Sequence, residues 1–250
     1  MLIGFFTALQ FLTIIRLQRN LPFTEEALGR AATFFPMVGL ILGGLLWLCD
    51  KSFFFLPPSF RNLLLVAILA ALSRGLHLDG LADTVDGLLG SADRQRSLAI
   101  MKDSAVGTFG VLAVFLVLLL KLRSLDLLAG GYRGVALLVA PVLGRWSCVV
   151  MAYSSRPART EGLGWVFVRG VHFREFGLAS VLALAVTFTL VEVLGLVVFV
   201  PLAALTLLFT LYCHRRLGGV TGDTLGAMGE IAETLTFSLF ALVAQGVPPR

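Results

Sequence analysis

Charge is what this sequence lacks most. Of 250 residues only 20 are Lys or Arg and 15 are Asp or Glu, so 14% are charged against 58% hydrophobic. Soluble globular domains carry about 25% charged residues, and the mean hydropathy of +0.92 departs in the same direction. A soluble protein would have nowhere to hide so much apolar surface. Cysteine is scarce too. Cys49, Cys148 and Cys213 lie in or at the ends of apolar segments, and none belongs to a C-x-x-C pair. Nothing there suggests disulfides or zinc, and buried thiols are expected. A removable signal peptide is not expected either. The apolar run Leu2–Ile15 has no basic region before it and no small-residue cleavage pattern after it. At 14 residues, interrupted by Gln10, it is short for a span, so an interfacial or re-entrant helix is expected.

What the chain does have is long uncharged stretches. Residues 31–49 and 104–120 carry no charge, and Glu192 is the only charge in the 38 residues 176–213. A spanning helix needs about 20 mostly apolar residues, so the last stretch holds two spans meeting near Glu192–Gly195. Candidate spans are 31–49, 58–76, 105–121, 134–153, 177–192, 195–213 and 234–248. In lipid every backbone polar group must be paired internally. The expected fold is therefore all-α, a polytopic integral membrane helical bundle of six or seven transmembrane helices. There is no obvious internal repeat, and residues 1–250 are expected to form a single domain.

If all seven segments cross, residues 1–30, 77–104, 154–176 and 214–233 share one side. That side holds 13 Lys/Arg against 6 on the other, with Arg145 inside a span. Positive charge prefers the cytoplasm, so that side is expected to be cytoplasmic. It also holds 12 of the 15 acids, which the orientation rule does not require. Such a face looks like a working surface.

Five of those acids sit in HLDGLADTVDGLLGSADRQRSLAIMKDS, residues 77–104. Asp79, Asp83 and Asp86 are spaced i, i+4, i+7 and so share one helical face. Three stacked carboxylates repel one another unless a cation lies among them. Hard oxygen ligands suit Mg²⁺, so these three are expected to ligate metal, and Asp103 is a further candidate. Gly80 and Gly87 would let a bulky phosphate ester approach the backbone. His77 suits a substrate hydrogen bond better than Mg²⁺ ligation.

A second acidic stretch is GGVTGDTLGAMGEIAET, residues 218–234, where Asp223, Glu230 and Glu233 again share a helical face. These are candidates for a second metal or a general base, and Thr221 and Gly222 for substrate contact. The glycines of this stretch serve either close helix packing or substrate approach. Two carboxylate faces meeting on one side would suit metal-assisted phosphoryl transfer. Arg94 and Lys102 follow the first stretch and suit phosphate. Arg156, Arg159, Arg169 and Arg174 suit either phosphate or anionic lipid. Arg145 lies in an apolar segment, where a charge by default suggests function.

The stretches LHLDGLADTVDGL, MKDSAVGTFG and GGVTGDTLGAMGEIAE closely resemble the cobalamin synthase (adenosylcobinamide-GDP ribazoletransferase) family. ALQFLT, FFPMVGLILG and GRWSCVVMAYSSRPARTEGLG resemble it as well, in order over nearly the whole chain. One departure is FLTIIRLQRN, which lacks the proline-containing continuation expected of the family. The resemblance implies a Mg²⁺-dependent enzyme of the bacterial cytoplasmic (inner) membrane. It would join adenosylcobinamide-GDP to α-ribazole, or its 5′-phosphate, and release GMP in a late step of cobalamin assembly.

The expected catalytic residues are then Asp83, Asp86, Asp103 and Asp223. The expected metal ligands are Asp79, Asp83, Asp86, Asp223, Glu230 and Glu233. Substrate contacts are assigned to His77, Gly80, Gly87, Arg94, Lys102, Arg145, Thr221 and Gly222. Expected partners are the two substrates and membrane lipids, with no nucleic acid. A homo-oligomer or other cobalamin-assembly enzymes are further candidates. Two rival readings are a CDP-alcohol phosphotransferase, suggested by the D-x-x-D-G element at 83–87, and an ion-coupled membrane transporter.

Overall fold

A computed structural model describes residues 2–16, 24–128 and 130–246. Among them the chain is helical throughout, with no β-strand beyond an isolated bridge between Pro157 and Val220. The order begins α1 (Leu2–Leu12), α2 (Glu25–Ala32), α3 (Phe35–Ser52), α4 (Pro58–Leu72), α5 (Leu76–Gly90) and α6 (Arg94–Ile100). It continues with α7 (Thr108–Leu127), α8 (Gly130–Tyr153), α9 (Leu163–Gly170), α10 (Phe173–Val191), α11 (Gly195–Leu217) and α12 (Gly222–Gly246). Six helices, α3, α7, α8, α10, α11 and α12, are long and apolar enough to cross a membrane. The pair α4–α5 makes a seventh only if it counts as one broken span, because it bends by 85°. This is the multi-pass helical bundle read from the apolar runs.

Burial sorts the helices into a post and a sheath. The α8 span is 89% buried, whereas α7, α10 and α11 are 22%, 17% and 28% buried. α8 therefore stands in the middle, against α3 on one flank and α12 on the other. The outer three turn apolar side chains such as Phe115, Val181 and Leu208 outward, as helices facing lipid do. Close approach is possible because Gly144 of α8 meets α12, where an added Cβ would lie 2.9 Å from the Gly229 carbonyl.

Local chemistry sets the helix ends. The Thr24 hydroxyl caps α2 by accepting from the Ala27 amide, and the Asp93 carboxylate caps α6 by accepting from the Arg96 amide at 2.8 Å. Glu192, at φ 53, opens a 3₁₀ turn over Glu192–Leu194, the joint expected between the two spans of the 38-residue run. The α4–α5 bend comes from two consecutive left-handed residues, Arg74 at φ 55 and Gly75 at φ 65. A non-glycine residue costs roughly 1–2 kcal/mol there.

Two boundaries differ from the sequence reading. Residues 77–90, expected in a loop, lie in α5. α12 starts at Gly222 rather than near 234, which draws Glu230 and Glu233 inside a span. α1 has 11 residues, too few to cross, as the short apolar run led one to expect. The departure FLTIIRLQRN falls partly on residues 17–20, which lie outside the described residues.

Candidate active site

At one end of the bundle the N-terminal turns of α5 and α12 lie side by side. Their contact is tight: a Cβ added to Gly80 would lie 2.8 Å from the Asp223 carbonyl. Gly80 is therefore required for helix contact, and it also lines the cavity formed here. α12 is started by Thr221, whose hydroxyl accepts from the Thr224 amide at 3.2 Å and lies 3.2 Å from Asp223 Oδ2. Thr221 thus aims the Asp223 carboxylate while capping its helix.

Asp223 meets Arg159, with Nη1 to Oδ2 at 3.0 Å. Arg159 also donates to the Leu98 carbonyl at 3.3 Å, which ties the 154–162 segment to α6. On α5, Asp79 and Asp83 sit one turn apart. Asp83 feels the like charges of Asp79, Asp223 and Asp86, opposed by Arg159. Neither the Asp79 nor the Asp83 carboxylate makes a hydrogen bond or ion pair among the described residues. Asp79, Asp223 and Arg159 line a cavity of about 300 Å³. Three carboxylates against one guanidinium leave two negative charges uncompensated.

The cavity gathers residues from α1, α3, α5, α9 and α12. These are the segments whose loops the charge count placed on one side. At the other end a second polar cluster joins segments expected opposite. Arg133 binds Asp50 through Nη2 at 2.7 Å and the Asn62 side chain at 2.6 Å, and Asn62 donates to Asp126 at 2.8 Å.

Residues 4–241 match the profile of the family described as cobalamin-5-phosphate synthase. The chain belongs to that family. It is 41% identical over 243 residues, 97% of either chain, to a curated protein named adenosylcobinamide-GDP ribazoletransferase from Geotalea daltonii. A protein of the same name from Syntrophobacter fumaroxidans is 43% identical over 241 residues, 95% of this chain and 97% of that one. One from Clostridium botulinum is 37% identical over 243 residues, 96% of this chain and 97% of that one. No solved structure matches the chain.

Other expected site residues of this cobalamin-5-phosphate synthase family member fall elsewhere. Asp86 is 7% exposed and turned away from the cavity. Its carboxylate accepts from the Gly107 amide at 2.7 Å and the Gly110 amide at 2.8 Å, so it caps α7 from another helix. With Asp103 it lines a separate hollow at the start of α7. Among the described residues Asp103 accepts only from the nearby Ala105 amide. Gly87 packs against α6, where a Cβ would lie 2.8 Å from the end of Met101 and 2.9 Å from the Ser97 carbonyl. That too is packing rather than substrate approach.

The expectation that Glu230 and Glu233 ligate metal meets a different arrangement. Both pair with Lys121 of α7, and Glu233 also pairs with Arg145 of α8. All four side chains are at most 6% exposed, and none lines the cavity. Arg145, expected to hold phosphate, is thus held by Glu233. Arg94 donates to the carbonyls of Leu217 at 2.6 Å and Ala158 at 3.3 Å, which pins α6 to the end of α11. Lys102 pairs in the open with Glu161 at 3.0 Å, and that bond holds the exposed Glu161 carboxyl below its usual range. His77, Gly80, Thr221 and Gly222 do line the cavity.

Sequence reasoning grouped Arg159 with three other loop arginines and could not single it out. It also passed over the aromatic lining, Phe11, Phe35, Trp165 and Phe167. Those rings looked like membrane residues, and only the fold brings three helices' worth of them to one cavity.

Proposed function

We propose that this chain joins adenosylcobinamide-GDP to α-ribazole, or to its 5′-phosphate, with release of GMP in cobalamin assembly. The observation that carries the reading is Asp79, Asp223 and Arg159 lining the cavity, with Asp83 near enough to feel the charge of all three. Phosphoryl transfer is mostly a matter of positioning and charge stabilisation, and this group supplies both signs of charge.

Mg²⁺ fits the donors. They are hard carboxylate oxygens, and they leave the two negative charges that one such ion carries in opposite sign. Among the described residues no three His, Cys, Asp or Glu side chains form a ready-made cage. Mg²⁺ does not need one, since it binds through one or two carboxylates plus substrate phosphates and water. Asp79, Asp83 and Asp223 would hold it, and it would offset the charge of the substrate's diphosphate. Arg159 adds a fixed guanidinium that can pair with phosphate oxygens. A new P–O bond forms from a ribose ring hydroxyl of the acceptor, free in both α-ribazole and its 5′-phosphate, to the cobinamide-linked phosphorus as the bond to GMP breaks. Asp83 accepts the hydroxyl proton. In this reading Asp86, Glu230, Glu233, Arg94 and Arg145 hold the frame. The charge asymmetry supports a site that faces the cytoplasm from the bacterial inner membrane.

Membranes containing the protein, supplied with Mg²⁺ and both substrates, are expected to release GMP and form the cobalamin product. Chelation should stop the reaction and added Mg²⁺ restore it. No GMP under conditions where an active relative works would overturn the assignment.

A further inference from the structure

The cavity has two unlike walls. α5 and the start of α12 supply Asp79 and Asp223, with Arg159 beside them. α1, α3 and α9 supply aromatic and aliphatic groups whose one polar atom is the Trp165 indole N–H: Phe11, Leu12, Phe35, Leu163, Trp165 and Phe167. The rings are ordered. Phe35 and Phe167 stack at 5.0 Å and 11°, and Phe11 stacks on them at 6.1 and 6.5 Å. Trp165 is steadied from outside by the Arg169 guanidinium, 4.9 Å from its ring. Between the walls lies His77, 3% exposed, lining the cavity and making no hydrogen bond among the described residues.

We propose that the apolar wall seats the heterocyclic base of the acceptor riboside, and that this seat selects which base is joined. The inference rests on the transferase reading above. At about 300 Å³ the cavity is at the small end of ligand pockets, roughly 300–1,000 Å³, so it suits one nucleoside and not a corrin macrocycle. Guanine is a poor occupant, because its polar edge would be buried against rings with its donors and acceptors unpaired. A benzimidazole presents flat apolar faces that stack on aromatic side chains. Its one unsubstituted ring nitrogen can accept the ring N–H of His77. With the base so placed, its ribose bridges to the carboxylate wall, where a ribose ring hydroxyl must react.

Trp165→Ala and Phe167→Leu are expected to raise KM for α-ribazole about tenfold, the scale of one lost apolar contact, while KM for adenosylcobinamide-GDP stays put. The opposite split would put the donor on this wall and overturn the proposal. His77→Ala should raise KM roughly fivefold for a benzimidazole riboside but not for an indole riboside, which lacks the accepting nitrogen. Equal effects on both would remove His77 from base recognition. The unaltered protein gives an answer independent of variant folding. Hydroxylating the base should raise KM, and indifference to that change would sink the proposal. GMP release without base discrimination overturns this inference alone, whereas no GMP release overturns the transferase reading as well.

Discussion

Asp79 and Asp83 hold the unanswered carboxylates of the site: no amide or hydroxyl donates to either side chain and no cation ion-pairs with it among the described residues. Asp83→Asn keeps the shape and removes the charge and the proton acceptor. It is expected to leave the protein folded in the membrane and to lower turnover roughly 10²–10⁴-fold, as loss of a general base does. Near-normal activity would remove Asp83 from the site. Arg159 reaches both Asp223 and the Leu98 carbonyl. Arg159→Lys keeps the charge but loses the planar fork, so kcat should remain well below that of the parent, not recover to it. The i, i+4, i+7 spacing made the shared face of three aspartates legible. It could not show that Asp86 belongs to a different neighbour. Seven residues along a helix is about 10 Å, enough to carry Asp86 past the start of α12 to that of α7. Only the tertiary position of Gly107 and Gly110 reveals that.

Helices meet through contacts that sequence spacing does not distinguish from ligands. Glu230 and Glu233 follow Asp223 at helical intervals, yet their carboxylates bind Lys121 and Arg145 inside the bundle. Removing one partner leaves buried charge unanswered. Glu233→Gln is therefore expected to destabilise the protein by about 3–5 kcal/mol, read as a lower unfolding temperature in detergent. A metal ligand would instead shift the Mg²⁺ dependence of activity and leave stability nearly unchanged. The glycines of both acidic stretches are of the same kind. Gly80→Ala places a methyl 2.8 Å from the Asp223 carbonyl and forces α5 off α12. It should lower activity even though no reacting group is altered, because Asp79 and Asp223 would separate. Gly→Ala ordinarily favours a helix by roughly 1 kcal/mol, so raised stability with full activity would disprove the close contact.

The whole molecule was the most legible scale. Apolar run length gave the spans, and charge asymmetry gave two ends that the structure keeps apart as two polar clusters. The bend at Arg74–Gly75 escaped notice, because left-handed backbone leaves little trace in an apolar run when a residue other than glycine opens it. Orientation can be read directly. A membrane-impermeant maleimide added to intact cells should label Arg123→Cys but reach Arg96→Cys only after the cells are opened. Both positions are exposed and lie at opposite ends, and the reverse pattern would turn the site outward. The buried ion cluster also imposes an order on the making of the protein. Lys121 and Arg145 enter the bilayer with α7 and α8, each costing roughly 2.5–3.5 kcal/mol near a helix centre. Their carboxylates arrive only with α12, the last described helix. Until then the nascent chain holds two unanswered cations in lipid. The buried cluster is thus completed only by α12, and a chain stalled before Glu230 would keep both cations unanswered in lipid.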